Sequence, residues 1–131
     1  MSVFTEQEIE YMNGQRLGRL ATVDSAGNPH VVPVGFHYNP DTDTIDIGGH
    51  NIAGSLKWAH ARRHPRVSFV VDDVLPPWQP RSVLVQADVE LIQDGGQNIV
   101  RGFAPEFMRL HPVRITSWGS GIGERSSRTV G

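Results

Sequence analysis

Leu17-Gly18-Arg19-Leu20-Ala21-Thr22-Val23, then Asp24-Ser25-Ala26-Gly27, then His30-Val31-Val32-Pro33-Val34-Gly35-Phe36-His37-Tyr38 is the stretch that decides the fold. Its apolar residues recur every second position, the period of a pleated strand. Leu17, Arg19, Ala21 and Val23 share one face, and Gly18, Leu20 and Thr22 the other. In the second run Val32, Val34, Phe36 and Tyr38 fall on one side. Two such runs across a four-residue polar turn predict an antiparallel hairpin. Pro33 cannot donate to a ladder, so it belongs on an edge, at a bulge, or where the sheet opens toward something else.

The same period continues downstream. Ile45-Asp46-Ile47-Gly48 reads as a short strand, and residues 66–73 as a buried one with Val67, Phe69 and Val71 alternating. Residues 82–92 alternate most cleanly, with Val83, Val85, Ala87, Val89 and Leu91 apolar and Gln86, Asp88 and Glu90 turned to water. Residues 113–118 form a last predicted strand, and Pro76-Pro77-Trp78-Gln79-Pro80 a stiff loop. Helices are few. Thr5-Glu6-Gln7-Glu8 has the form of a capping box opening a short amphipathic helix that carries Ile9 and Met12 and stops at Asn13-Gly14. Residues 52–63 place Ile52, Leu56, Ala59 and Arg63 on one helical face, with Asn51 as N-cap and Pro65 as terminator. Residues 105–110 suit a third, short helix. Residues 120–131 show no period and read as a flexible tail after a single domain over 1–119. Five or six short antiparallel strands with small helices predict a mainly β barrel or sandwich rather than a parallel α/β sheet.

Composition excludes much. At 131 residues the chain suits one domain. Its net charge of −2 provides no basic field for nucleic acid. It has no cysteine, so disulfides, thiolate zinc sites, iron–sulfur clusters and thiol nucleophiles are all absent. No apolar run approaches ~18 residues, and the start lacks the regions of a signal peptide. A soluble cytoplasmic domain with no membrane partner is the expectation. His60 and His64 stand four apart, but without a third ligand or an HExxH pattern no metal site is expected. Nor is there a GxSxG nucleophile elbow.

Chemistry concentrates in Gly48-Gly49-His50-Asn51-Ile52-Ala53-Gly54-Ser55-Leu56-Lys57. A strand ends in two glycines and a helix begins, followed by a lysine whose side chain leans back toward the helix start. Glycines admit a ligand close to backbone, and helix-start amides favour anions. Gly48, Gly49, His50, Ser55 and Lys57 thus suit a phosphate cradle. The plainer alternative is a strand–turn–helix junction with a solvated lysine. Arg62, Arg63 and Arg66 with His60 and His64 suit either an anionic cofactor tail or a charged helix end complementing its dipole. Trp78 and Trp118 could stack on a planar ligand, or pack in a core or subunit interface. No residue stands out as an acid–base catalyst.

The stretches Gly18–Val23 and Pro29–Val34, Ser55-Leu56-Lys57, Arg63-His64-Pro65-Arg66-Val67, Arg81–Val85 and Ser117-Trp118-Gly119 resemble the pyridoxamine 5′-phosphate oxidase-like, flavin-binding split β-barrels, in that order over residues 4–119. The length and the wording of the hairpin look closest to the actinobacterial branch that uses the deazaflavin coenzyme F420. The resemblance implies a six-stranded antiparallel split barrel, a homodimer with two cofactor sites at its interface, and hydride transfer to an unsaturated small-molecule substrate. Val31, Val32, Pro33 and Val34 would then present backbone to the ring edge, Gly48, Gly49, His50, Ser55 and Lys57 would hold phosphate, and Trp78 would contribute an aromatic face. Two departures stand out. His64 replaces the usual asparagine or aspartate, and His30 and Gly35 occupy the positions where flavin mononucleotide (FMN) enzymes carry an Arg–Lys phosphate clamp. An FMN-binding oxidoreductase of the same fold and a non-catalytic, cofactor-carrying dimer are the competing expectations.

Overall fold

The computed structural model describes all of residues 1–131. Eight strands form one antiparallel sheet: β1 (Leu17–Val23), β2 (Pro29–Gly35), β3 (His37–Asn39), β4 (Thr44–Ile47), β5 (Arg66–Leu75), β6 (Gln79–Ile92), β7 (Phe107–Gly119) and β8 (Gly123–Thr129). Two α-helices accompany it, α1 (Glu6–Asn13) and α2 (Leu56–Arg63). The order across the sheet is β2-β1-β5-β6-β7-β4-β3, with β8 also paired to β7. β2 and β3 therefore lie at opposite edges, yet only Phe36 separates them in the chain. The sheet must roll until its edges meet, which makes a split barrel, and the mainly β reading of the sequence holds.

Phe36 stands edge-on to Phe69, with ring centroids 5.2 Å apart. Phe69 in turn fills the space that Gly18 leaves, since a Cβ on Gly18 would come within 2.3 Å of its Cζ. Leu20, Ile45, Ile47, Val71, Val83, Val85, Met108, Leu110 and Ile115 complete the core without exposed surface. Alternation explains which residues they are, because inward positions on each strand are apolar and outward ones polar or exposed. β1 and β2 pair without a register shift from Leu17↔Gly35 to Val23↔Pro29. Pro33 therefore sits on an edge strand and not at a bulge.

Several sequence expectations change. The strand count rises from six because the second run breaks at Phe36 into β2 and β3, and because the expected tail contains β8. Residues 120–131 are not a flexible tail: Arg114 to Ser117 of β7 pair with Thr129 to Ser126, across a turn whose Gly119, Gly121 and Gly123 all take positive φ. The polar side chains of β8 hid it. The expected helix at 105–110 is instead the start of β7, with Phe107, Met108 and Leu110 buried and Arg109 turned toward Asp46. At 51–63 a tight turn over Ile52–Gly54 precedes the helix, and Ser55 caps α2 in place of Asn51. That delay rotates the buried face to Trp58 and Ala61 and leaves Leu56 64% exposed. Neither helix is long and apolar enough to cross a membrane.

α1 begins with the expected capping box, Thr5 Oγ1 accepting from the Glu8 amide and Glu8 Oε1 from the Thr5 amide. Glu8 does more. Its carboxylate is only 1% exposed and accepts hydrogen bonds from Ser117 Oγ and from both Arg128 Nη atoms of β8. Burial pushes its pKa up, but the bonds from Arg128, Ser117 and Thr5 outweigh this and hold it below the usual value. That contribution to stability is present above the ordinary glutamate pKa of 4.5 and is lost as pH falls through the lowered value. Replacing Arg128 with Ala leaves a buried carboxylate without its counter-ion and is expected to cost about 3 kcal/mol in urea unfolding at pH 7. The difference between variant and wild type should shrink as the pH is lowered through the acid limb.

Candidate functional site

The turn joining β1 to β2 is set by Asp24, whose carboxylate accepts from the amides of Ala26 and Asn28, while Gly27 takes φ +85°. This fixes the hairpin register, with Ala21 opposite Val31 and Arg19 opposite Pro33 on the outward face. The pleat turns Gly18, Leu20 and Thr22 inward. Val34 is likewise buried and Val32 half-buried, whereas Val31 is 64% exposed. A groove of about 540 Å³ crosses this outward face, lined among others by Val31, Arg19, Val70, Asp72, Pro80 and Trp118. That volume lies within the range of small-molecule sites. Arg19 Nη1 stands 3.3 Å from Asp72 Oδ1 across the groove. β2 bounds it as an edge strand, so its outer row of backbone groups has no strand partner.

Beneath one end, Asp73 gathers three elements. It accepts from Arg81 Nε and Nη2 at 2.8 and 2.7 Å, from the Tyr11 hydroxyl at 2.8 Å and from Gln15 Nε2 at 3.4 Å. The Arg81 hydrogen bonds hold the Asp73 carboxyl down at about 2, burial opposing and Tyr11 assisting. Burial and the Asp73 carboxylate push the Tyr11 hydroxyl up. Arg81 also stacks over the Tyr11 ring at 4.7 Å. In the sequence Asp73 stands at the end of the predicted strand 66–73. Asp73 and Arg81 are equidistant from the Pro76–Trp78 turn, and that symmetry is the signal that would have paired them.

α2 carries the cationic end of the site. Ser55 Oγ accepts from the Trp58 amide and donates to the Ile52 carbonyl, so its hydroxyl shapes the helix start. Lys57 is half-buried and forms no ion pair. It lies one turn before His60 on the same helix face. His60 Nδ1 is 2.9 Å from Thr22 Oγ1, and its ring stands edge-on to that of His30 with centroids 5.3 Å apart. His30 Nδ1 is buried without a hydrogen-bond partner. An unpaired lysine, a helix start and an orphaned imidazole nitrogen fit an anionic group such as a phosphate.

The remaining expected residues lie elsewhere. A Cβ on Gly48 would come within 2.8 Å of Phe103 Cδ2, so the glycine accommodates a side chain of its own chain. The Ala104 amide donates to the Gly49 carbonyl, and His50 Nδ1 donates to the Gly102 carbonyl at 3.2 Å. A loop over 99–104 thus covers Gly48, Gly49 and His50. Behind it a separate cavity of about 530 Å³ is lined by His37, Asp46, Phe107 and Arg109 among others. Trp78 is 76% exposed at the tip of the β5–β6 hairpin and does not line the groove, whereas Trp118 does. The structure therefore brings Val31 to the groove and sets Lys57 one helical turn before His60 on α2. It leaves the glycine segment and Trp78 apart from both.

The sequence of this curled split barrel matches the pyridoxamine 5′-phosphate oxidase family over residues 4–112. The chain belongs to that family. It is 40% identical over 118 residues to a 5a,11a-dehydrotetracycline/5a,11a-dehydrooxytetracycline reductase of Streptomyces rimosus subsp. rimosus, covering 88% of this chain and 83% of that protein. Among solved structures, a conserved hypothetical protein of Mycobacterium tuberculosis superposes with a TM-score of 0.72 at 23% identity, over 99% of this chain and 94% of that one. An FAD-binding protein of Mesorhizobium loti gives 0.66 at 21% identity, over 87% and 94%. These likenesses extend the fold across the whole sheet.

Gly48→Ala tests what that glycine is for. The added methyl should displace Phe103 and loosen the 99–104 loop, so that the Ala104 amide exchanges hydrogen faster by mass spectrometry while the core strands keep their protection.

Proposed function

We propose that this protein is an oxidoreductase that uses the deazaflavin coenzyme F420 to pass a hydride to an unsaturated small molecule, working as a homodimer. The observation that carries this reading is the outward groove bounded by the unpaired edge of β2, together with Lys57, free of any ion pair, on the helix α2 that packs against the neighbouring β1. In such a site Val31, Pro33 and the β2 backbone border a planar ring, and Lys57 holds its phosphate with the amides that open α2. The coenzyme, when bound, supplies the hydride; the chain supplies position, a charged anchor and shelter from water. The reductase from Streptomyces, so similar over most of its length, supports the reaction class. The absence of the Arg–Lys clamp at His30 and Gly35 favours the deazaflavin over FMN.

The dimer is supported by where the exposed apolar side chains lie. Leu17, Val31 and Val74 are all exposed on the outward face of the sheet, and Trp78 projects beside it at the hairpin tip. Clustered apolar exposure of this kind marks an interaction surface. A second copy laid on this face would roof the groove.

Titrating the protein with F420 and FMN in parallel decides the coenzyme. Tighter binding of F420 is expected, and an FMN affinity exceeding it overturns the assignment. Lys57→Ala should weaken coenzyme binding by about 1–3 kcal/mol, the worth of a charge-assisted hydrogen bond, with the melting transition unchanged. Sedimentation should give twice the mass of the chain. A monomer at micromolar concentration counts against the interface.

A further inference from the structure

The cavity of about 530 Å³ behind the 99–104 loop has no part in the reaction proposed above. It lies at the far end of β6 and β7 from the outward groove, lined by Ile92 and Phe107 where the groove is lined by Ser82 and Trp118. Across it runs a row of paired residues, His37 of β3 opposite Asp46 of β4, and Asp46 opposite Arg109 of β7. Ile45, Ile47, Met108 and Leu110 flank that row and are buried in the core, so alternation turns Asp46 and Arg109 to the outer face. Asp46 is already saturated. Its carboxylate accepts from Thr44 Oγ1 at 2.9 Å, from Asn39 Nδ2 at 3.0 Å, and from Arg109 Nε and Nη2 at 3.1 and 3.2 Å. A carboxylate has about four acceptor positions, so what is left for Asp46 to do is hold the guanidinium still. The Phe107 ring, its centroid 5.1 Å from Arg109 Cζ, supports it from one face. Two of the guanidinium N–H groups go to Asp46, and Nη1 makes no hydrogen bond within the chain.

An arginine fixed in this way, with its end-on edge free, is a fork for a carboxylate. The rest of the wall says what else the ligand carries. Arg109 is its only arginine or lysine, whereas Asp41 and Asp94 are exposed carboxylates outside every ion pair. Asp94 accepts one hydrogen bond, from the neutral Gln97 amide at 3.2 Å, and no side chain donates to Asp41. Arg109 and Asp46 cancel, so the two free carboxylates leave the lining at a net charge of −2. Ile92 and Ile99 contribute apolar surface suited to methylene groups. A simple anion would meet two uncompensated charges of its own sign here, and a simple cation would leave the Arg109 edge unmet. We propose that this cavity binds a diamino monocarboxylic acid of the lysine type: the Arg109 guanidinium takes the carboxylate, and Asp41 and Asp94 take the two ammonium groups. Sign and number then match, two cations and one anion on the ligand facing two anions and one cationic edge in the wall. The cavity shares no residue with the outward groove, so the proposal stands apart from the reductase reading.

Titration calorimetry of the full chain with L-lysine should give saturable binding of one molecule per chain. Two analogues each lack one group, since cadaverine has no carboxylate and L-norleucine no second ammonium. Each should bind about tenfold more weakly or worse, the scale of one charge-assisted hydrogen bond. Asp41→Asn and Asp94→Asn alter exposed positions outside every ion pair, so the melting transition should stay put while L-lysine binding weakens about tenfold in each. Arg109→Gln alone leaves the buried Asp46 carboxylate unpaired, so it is made together with Asp46→Asn. In that double variant L-lysine should bind no more tightly than cadaverine. In an amide NMR titration of the wild type, L-lysine should shift Asp41, Gly95 and Asn98 and leave β1 and β2 unmoved. Absence of L-lysine binding at millimolar concentration overturns the proposal, as does cadaverine binding the wild type equally well. So does wild-type affinity in either aspartate variant, a carboxylate preference that survives in the double variant, or amide shifts confined to other parts of the chain.

Discussion

One residue, Phe36, carries the chain from one edge of the sheet to the other, and that short link obliges an eight-stranded sheet to curl. The curl is stabilised where it is tightest, because Phe36 packs on Phe69 and Phe69 occupies the gap over Gly18. Any side chain at position 18 would force Phe69 out of the barrel and loosen the closure. The geometry has a second effect. Closing the barrel through a single residue leaves β2 paired on one side only, and that unpaired edge is what borders the groove. Fold and candidate site thus depend on the same link.

Acidic side chains hold the distant parts together. Glu8 joins α1 to β7 and β8, Asp73 joins α1 to β5 and β6, and Asp46 receives Arg109 of β7 together with Asn39 of β3 and Thr44 of its own strand. Each carboxylate meets an arginine and further donors, so each is well satisfied. Together these pairs set where the helix and the strand ends sit. Lys57 stands outside this scheme, and Arg19 has only a loose partner.

Much of the fold was legible because period-two alternation survives wherever a strand has one wet face. The β1–β2 hairpin, β5 and β6 were all read within a few residues. Where burial is one-sided but the outward residues are also apolar, or the inward ones polar, the pattern fails. β8 shows this: its strand is written in Glu, Arg, Ser and Thr, and its anchor is a carboxylate 120 residues away. The start of α2 failed for another reason. Asn51 and Ser55 are both good caps, and the choice fell to Ser55 because Asn51 folds its side chain over Gly54 within a tight turn. Val31, singled out in the sequence, lines the outward groove, and Lys57 sits on α2. The role of Gly48 could not be read in advance, since a bare glycine signals close approach without saying whether a ligand or Phe103 makes it.

Glu8 is synthesised long before Arg128. While the ribosome is still translating the middle of the chain, the first helix carries a carboxylate destined for the interior whose counter-charge does not yet exist. The charge that pairs with Glu8 therefore becomes available only once β8 has been made, long after α1.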